Sequence, residues 1–137
     1  MRNYISHVCS ALLASLLLTA AVNAQLPPPS IPSLAGSYVL LDENGDAPIT
    51  GSTIVIDVES TGPNTYSDTF YIDGQEVPGE SAVYVISAWM GAFETGKGNH
   101  GSITWQPDGS WRCEMLDGPD RGKVSYMVPL SGPPAPR

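Results

Sequence analysis

Cysteine is nearly absent from this 137-residue sequence, which contains only Cys9 and Cys113. Cys9 lies in an N-terminal segment that we expect to be removed, so the remaining chain has one thiol and no internal disulfide. Such a fold must be held together by its core alone or by an intermolecular disulfide. Because a lone exposed thiol is a liability in an oxidising compartment, we expect Cys113 to be buried, where cysteine behaves as a small apolar residue.

Basic residues are also scarce, with six Lys and Arg against 14 Asp and Glu and a formal net charge of −8. Residues 25–94 contain ten carboxylates and no lysine or arginine. Nucleic acids and anionic membranes bind through basic surfaces, so we exclude both as partners. The acidic surface is compatible with a basic exported protein or a small ligand as partner, and equally with solvated strand faces that keep the protein soluble.

Residues suited to catalysis are few. His100 is the only histidine after residue 24, and a zinc site needs three or four good ligands. A Cys–His catalytic pair needs an exposed thiol, which conflicts with a buried Cys113. Carboxylate pairs of the glycosidase type remain open, because any two of the 14 acids can meet in a fold, but no pair stands out. We therefore expect no enzyme, no metal and no cofactor.

Two short patterns resemble ligand-binding loops and depart from them at decisive positions. Residues 42–46 resemble the start of a calcium loop, but Ala47 replaces the turn glycine and Thr53 the bidentate glutamate. Residues 91–98 approach the phosphate-binding pattern G-x-x-x-x-G-K-[ST], with Gly98 in place of the hydroxyl residue and no helix following. We interpret the first as a hairpin turn and the second as a glycine-rich loop.

The N-terminus has the three parts of a secretory signal peptide. Arg2 precedes an apolar run over residues 11–22, and Val22 and Ala24 are small enough for cleavage after residue 24. The apolar run is too short to span a bilayer, and no cysteine follows it for lipidation. We expect a secreted or periplasmic product with no stable membrane insertion after cleavage.

Composition divides the rest of the chain into three parts. Proline-dense segments at residues 25–33 and 131–137 favour extended geometry and act as leader and tail. Residues 34–130 lie between them and have the length of a single β domain. No segment shows convincing helical periodicity.

Alternation of apolar and polar residues predicts strands. Residues 53–59 place three aliphatic side chains on one face. Residues 102–115 predict a hairpin around Pro107-Asp108-Gly109, in which Trp105 lies opposite Trp111 and Ile103 opposite Cys113. Residues 82–90 are the most apolar run and predict a central strand covered on both faces, or one whose outer face meets a partner.

About seven strands joined by short turns predict an all-β fold, either a small antiparallel β-barrel or a β-sandwich, and we favour the barrel. Residues 34–38, LAGSY, resemble the opening strand of lipocalin-like barrels, with tyrosine where tryptophan is usual. The resemblance covers these five residues. It implies an interior pocket, for which the candidate aromatic residues are Tyr66, Phe70, Trp105 and Trp111.

Residues 91–101 are the candidate binding loop, because the segment is longer and more varied than a hairpin needs. A plain connection without function is the alternative. The binding residues that we expect in it are Phe93, Glu94, Lys97, Asn99 and His100.

Three functions are compatible with the sequence. The first is an exported non-catalytic module that binds a protein or a small ligand. The second is an inhibitor of a basic, lysozyme-like secreted hydrolase, which requires a rigid loop that enters an active site. The third is a small hydrolase, which requires two close carboxylates in a cleft, one with a raised pKa.

Overall fold

A computed structural model describes residues 32–130. The predicted signal peptide, residues 25–31 of the predicted proline-rich leader and the predicted proline-rich tail lie outside them. The described residues form nine strands and one turn of 3-10 helix at Pro78–Glu80. The strands are β1 Gly36–Asp42, β2 Ile54–Gly62, β3 Thr65–Ile72, β4 Gln75–Glu76, β5 Ala82–Ser87, β6 Met90–Thr95, β7 His100–Trp105, β8 Trp111–Asp117 and β9 Val124–Pro129.

Eight of these strands form a closed antiparallel β-barrel. Each pairs with the strand before and after it, and β1 closes the barrel by pairing with both β2 and β9. The short β4 lies outside this ring and pairs only with β3. The predicted all-β class is confirmed and takes the barrel form, with eight strands in place of about seven. Closure leaves the eight strands with no unpaired edge.

Alternate residues of each strand fill the barrel. Ile54, Ile56 and Val58 on β2 are between 3% and 4% exposed, as the alternation at residues 53–59 predicted. Other strands contribute buried side chains to the same core, including Tyr84, Ile103, Trp111 and Met127. Successive side chains of a strand point to opposite faces of the sheet, so when the sheet closes into a barrel every second side chain points into the interior.

The predicted hairpin at residues 102–115 is present with the expected register. Trp105 pairs with Trp111 and Ile103 with Cys113 across β7 and β8. Cys113 is the one free cysteine of the described residues and is buried. Burial raises the pKa of its thiol to about 12, so the side chain stays protonated and unreactive near neutral pH.

The prediction of a strand covered on both faces at residues 82–90 is wrong. The strand ends at Ser87, and Ala88 turns the chain with a φ of 56°. Val83 and Val85 point away from the core and are 57% and 54% exposed. A closed barrel has only one interior, so the outer face of β5 lies on the surface of the barrel despite its apolar side chains. The alternative expectation, that this face meets a partner, stays a prediction.

The two ends of the barrel differ. At one end Leu34 is fully buried, and its carbonyl accepts a hydrogen bond of 2.7 Å from the Tyr38 hydroxyl. This contact holds the chain before β1 against the core and closes that end. The opposite end is formed by the four connections 43–53, 73–81, 96–99 and 118–123. Within residues 32–130 no helix is long and apolar enough to cross a membrane.

Candidate functional site

A cavity of about 580 Å³ lies inside the barrel and extends to the connections at the second end. Inward-facing positions of several strands supply its walls, because each strand presents every second side chain to the interior. Most of these side chains are apolar. They include Leu40, Ile54, Phe70, Ile72, Phe93 and Met115.

One carboxylate forms part of this wall. Asp68 faces inward on β3 and is only 9% exposed. Its Oδ1 accepts a hydrogen bond of 2.7 Å from the Ala82 backbone N–H, and its Oδ2 accepts one of 2.6 Å from the Tyr84 hydroxyl. Burial raises the pKa of Asp68, and the two hydrogen bonds oppose that rise.

Tyr84 is the partner that remains protonated. Its side chain is in the core, and burial together with the nearby Asp68 charge raises its pKa well above the usual value. The hydroxyl therefore acts as a hydrogen-bond donor to Asp68 over the whole physiological range of pH.

The rim of the cavity is mainly acidic. Lys97 forms an ion pair with Glu80, which raises the pKa of Lys97, and Lys123 lies 2.8 Å from Asp120. These are the two cationic side chains that line the cavity, and each has a carboxylate partner. Five carboxylates line it, so the cavity has an excess of negative charge: Asp42, Glu43, Asp68, Glu80 and Asp120.

A buried amide joins two of the rim connections. Asn99 is 2% exposed, and its Nδ2 donates a hydrogen bond of 2.8 Å to Asp120 Oδ2. The Asp120 backbone N–H donates one of the same length to Asn99 Oδ1. A Cβ at Gly118 would lie 2.8 Å from this Oδ1, so a glycine is needed where the two connections meet.

Replacing Asn99 with alanine should lower the free energy of unfolding by about 2 kcal/mol, because it removes a buried amide and both of the hydrogen bonds that this amide makes with Asp120. Urea denaturation measures the change. The exposed Asn44 on a neighbouring connection is the control, and its replacement with alanine should cost less than about 0.5 kcal/mol. Equal effects of the two substitutions would contradict this role for Asn99.

Residues 91–101 are not the loop that the sequence predicted. They belong to β6 and β7, joined by a four-residue turn at residues 96–99. The glycines suggested a loop, but Gly91 and Gly101 lie within strands. A Cβ at Gly101 would be 2.3 Å from Phe93 Cζ and 2.5 Å from the Glu114 carbonyl oxygen. Glycine is present there because the Phe93 ring packs over it.

The hairpin separates the five predicted binding residues into two groups. Phe93, Lys97 and Asn99 line the cavity. Glu94 and His100 lie on the outer surface, where Glu94 Oε1 is 3.5 Å from His100 Nε2. Phe93 and Glu94 are separated by alternation along β6, and only three of the five predicted residues line the cavity.

The four predicted pocket aromatics are separated in a similar way. Phe70 lines the cavity, whereas Tyr66 and Trp111 are packed in the core outside the cavity lining, at 7% and 1% exposed. Trp105 packs against Trp89, with ring centroids 4.9 Å apart. Asp68 is not among the residues predicted for the site, although alternation over residues 65–72 places it on the same face as Phe70.

Neither ligand-binding pattern of the sequence forms a recognisable cation or phosphate site. Asp42 Oδ1 accepts hydrogen bonds from the backbone N–H groups of Asn44 and Asp46, at 2.8 and 3.0 Å, so this carboxylate stabilises a turn. Within residues 32–130 no three His, Cys, Asp or Glu side chains cluster as potential metal ligands.

Fold and cavity together define a small up-and-down β-barrel with an internal cavity at one end. Comparison of the chain with protein families, curated proteins and solved structures finds no match.

Proposed function

We propose that this protein is an exported, non-catalytic binding module that holds a small, largely apolar molecule in the cavity of its barrel. The observation that carries the proposal is the cavity itself. Its volume of about 580 Å³ lies within the range typical of small-molecule sites, and its walls combine apolar side chains with a few polar groups. Export is inferred from the N-terminal sequence features.

The other two hypotheses receive less support from the described residues. Inhibition of a basic hydrolase required a projecting loop at residues 91–101, where the chain forms a hairpin with a short turn. Lys97 at that turn is engaged by Glu80, and His100 faces outward. For the hydrolase, Asp68 is a buried carboxyl with a raised pKa, but its hydrogen-bond partners are the Ala82 backbone N–H and the Tyr84 hydroxyl and not the second carboxyl that the hypothesis requires.

Titration with N-phenyl-1-naphthylamine, an uncharged apolar fluorescent probe, tests this function. We expect saturable binding of one probe per protein. Backbone amide NMR shifts should concentrate on cavity-lining residues such as Phe70 and Met115, with little change at Val83 and Val85 on the outer surface. Unsaturable binding, or shifts centred on the outer face of β5, would contradict a ligand site inside the barrel.

A further inference from the structure

The position of Asp68 in the cavity wall is not explained by a ligand that is entirely apolar. It occupies an inward position of β3 between Tyr66 and Phe70, so its carboxylate replaces an apolar side chain in the wall of the cavity. Burying a carboxylate is costly unless it is hydrogen-bonded and paired with a positive charge. Asp68 accepts two hydrogen bonds, but no cationic side chain of residues 32–130 forms an ion pair with it.

The hydrogen bonds of Asp68 do not use all of the acceptor capacity of its carboxylate. Each carboxylate oxygen accepts one hydrogen bond, from Ala82 and Tyr84, and neither donor is cationic. An ionised carboxylate has about four lone-pair positions, so about two remain. Within the described residues no lysine, arginine or histidine nitrogen forms an ion pair with Asp68.

The charge around the cavity opening favours the same kind of ligand. The rim carboxylates outnumber the two lysines, and each lysine already has a carboxylate partner. An excess of negative charge attracts cations and disfavours anionic amphiphiles such as fatty acids. This field is independent of the hydrogen bonds that Asp68 makes.

Resting on the proposed function, we infer that the ligand is a cationic amphiphile, with a protonated amine that binds the Asp68 carboxylate and an apolar body that fills the cavity. The amine donates hydrogen bonds to the free lone pairs of Asp68, and Tyr84 holds the carboxylate in position. The apolar part contacts side chains such as Phe70 and Phe93. Charge-assisted hydrogen bonds of this kind are about twice as strong as neutral ones.

Displacement of N-phenyl-1-naphthylamine by octylamine, 1-octanol and octanoate at neutral pH tests the inference, because the three compounds share a chain and differ in head group. We expect octylamine to bind about tenfold more tightly than 1-octanol, and octanoate to bind most weakly, as a charge-assisted contact in a buried site predicts. Octanol or octanoate binding as tightly as octylamine would overturn the inference.

Asp68→Asn is the decisive variant. It should bind octylamine and 1-octanol with equal affinity, because a neutral amide cannot form the charge-assisted contact. Glu43→Gln, at an exposed rim carboxylate, is the matched control and should keep most of the amine preference. An Asp68→Asn variant that retains the full preference would show that the rim field, and not a direct contact, selects the amine.

A measurement on the wild-type protein keeps the inference testable even if Asp68→Asn does not fold. Nuclear Overhauser effects from the octylamine C1 protons to Tyr84 ring protons are expected, and contacts only to residues of the outer surface would overturn the inference. Failure of the proposed function would give a different result, because the uncharged probe itself would then not bind in the cavity.

Discussion

Replacing Trp111 with alanine should lower the free energy of unfolding by about 3–5 kcal/mol, the cost expected for removing a large buried side chain. Trp111 is 1% exposed and belongs to the core cluster that includes Leu34 and Tyr38. The cavity left by the indole would be enclosed by strands that are fixed in a closed ring. Little collapse of the surroundings is therefore expected, which places the loss at the upper part of the range.

Trp105 is the matched control, because it is the same residue type and lies directly opposite Trp111 across β7 and β8. It is only partly buried and packs on the surface of the core. Trp105→Ala should cost less than half as much as Trp111→Ala. Urea denaturation followed by circular dichroism gives both values, and Trp111→Phe provides a milder variant if the alanine form does not fold. Similar losses at the two tryptophans would contradict this assignment of the core.

Replacing Leu40 with tryptophan should weaken probe binding by at least about tenfold, because the larger side chain fills part of the space that the ligand occupies. Leu40 lines the cavity from β1. Leu41, the next residue, lies on the opposite face of the strand, where it pairs with Tyr126 of β9. Leu41→Trp adds the same volume outside the barrel and should leave the affinity within about twofold of the wild type.

Fluorescence titration of both variants with N-phenyl-1-naphthylamine measures the difference. Overpacking at Leu40 is expected to cost about 1–3 kcal/mol of stability, so unfolding curves must show that both variants are folded under the assay conditions. Equal affinities for the probe in the two folded variants would place the binding site outside the barrel.

Local sequence patterns were sufficient for the fold class because they depend on neighbouring residues. Alternation along residues 53–59 predicted the inward face of β2, and Pro107-Asp108-Gly109 predicted the hairpin with Trp105 opposite Trp111. The burial of Cys113, expected because a lone exposed thiol is a liability, is confirmed. A single cysteine after residue 24 allows no internal disulfide, which indicated a domain held by its core.

The glycine-rich segment shows where local patterns were insufficient. The glycine content and varied composition of residues 91–101 predict a loop that includes Gly91 and Gly101. In the barrel they are strand residues, required by the side chains that pack against their backbone, such as Phe93 over Gly101. Nothing in the sequence near Gly101 identifies Phe93 as its neighbour, since only pairing of β6 with β7 brings them together.

The sequence by itself determined the acidic, almost cysteine-free composition, the all-β class, the inward face of β2 and the register of the hairpin of β7 and β8. The export signal stays a prediction from the sequence. The tertiary structure decided that the strands close into a barrel, that Val85 faces solvent, and that Asp68 and Tyr84 meet in the wall of a cavity. The physical reason is that alternation assigns each residue to a face, whereas strand pairing and closure decide which faces enclose a common space.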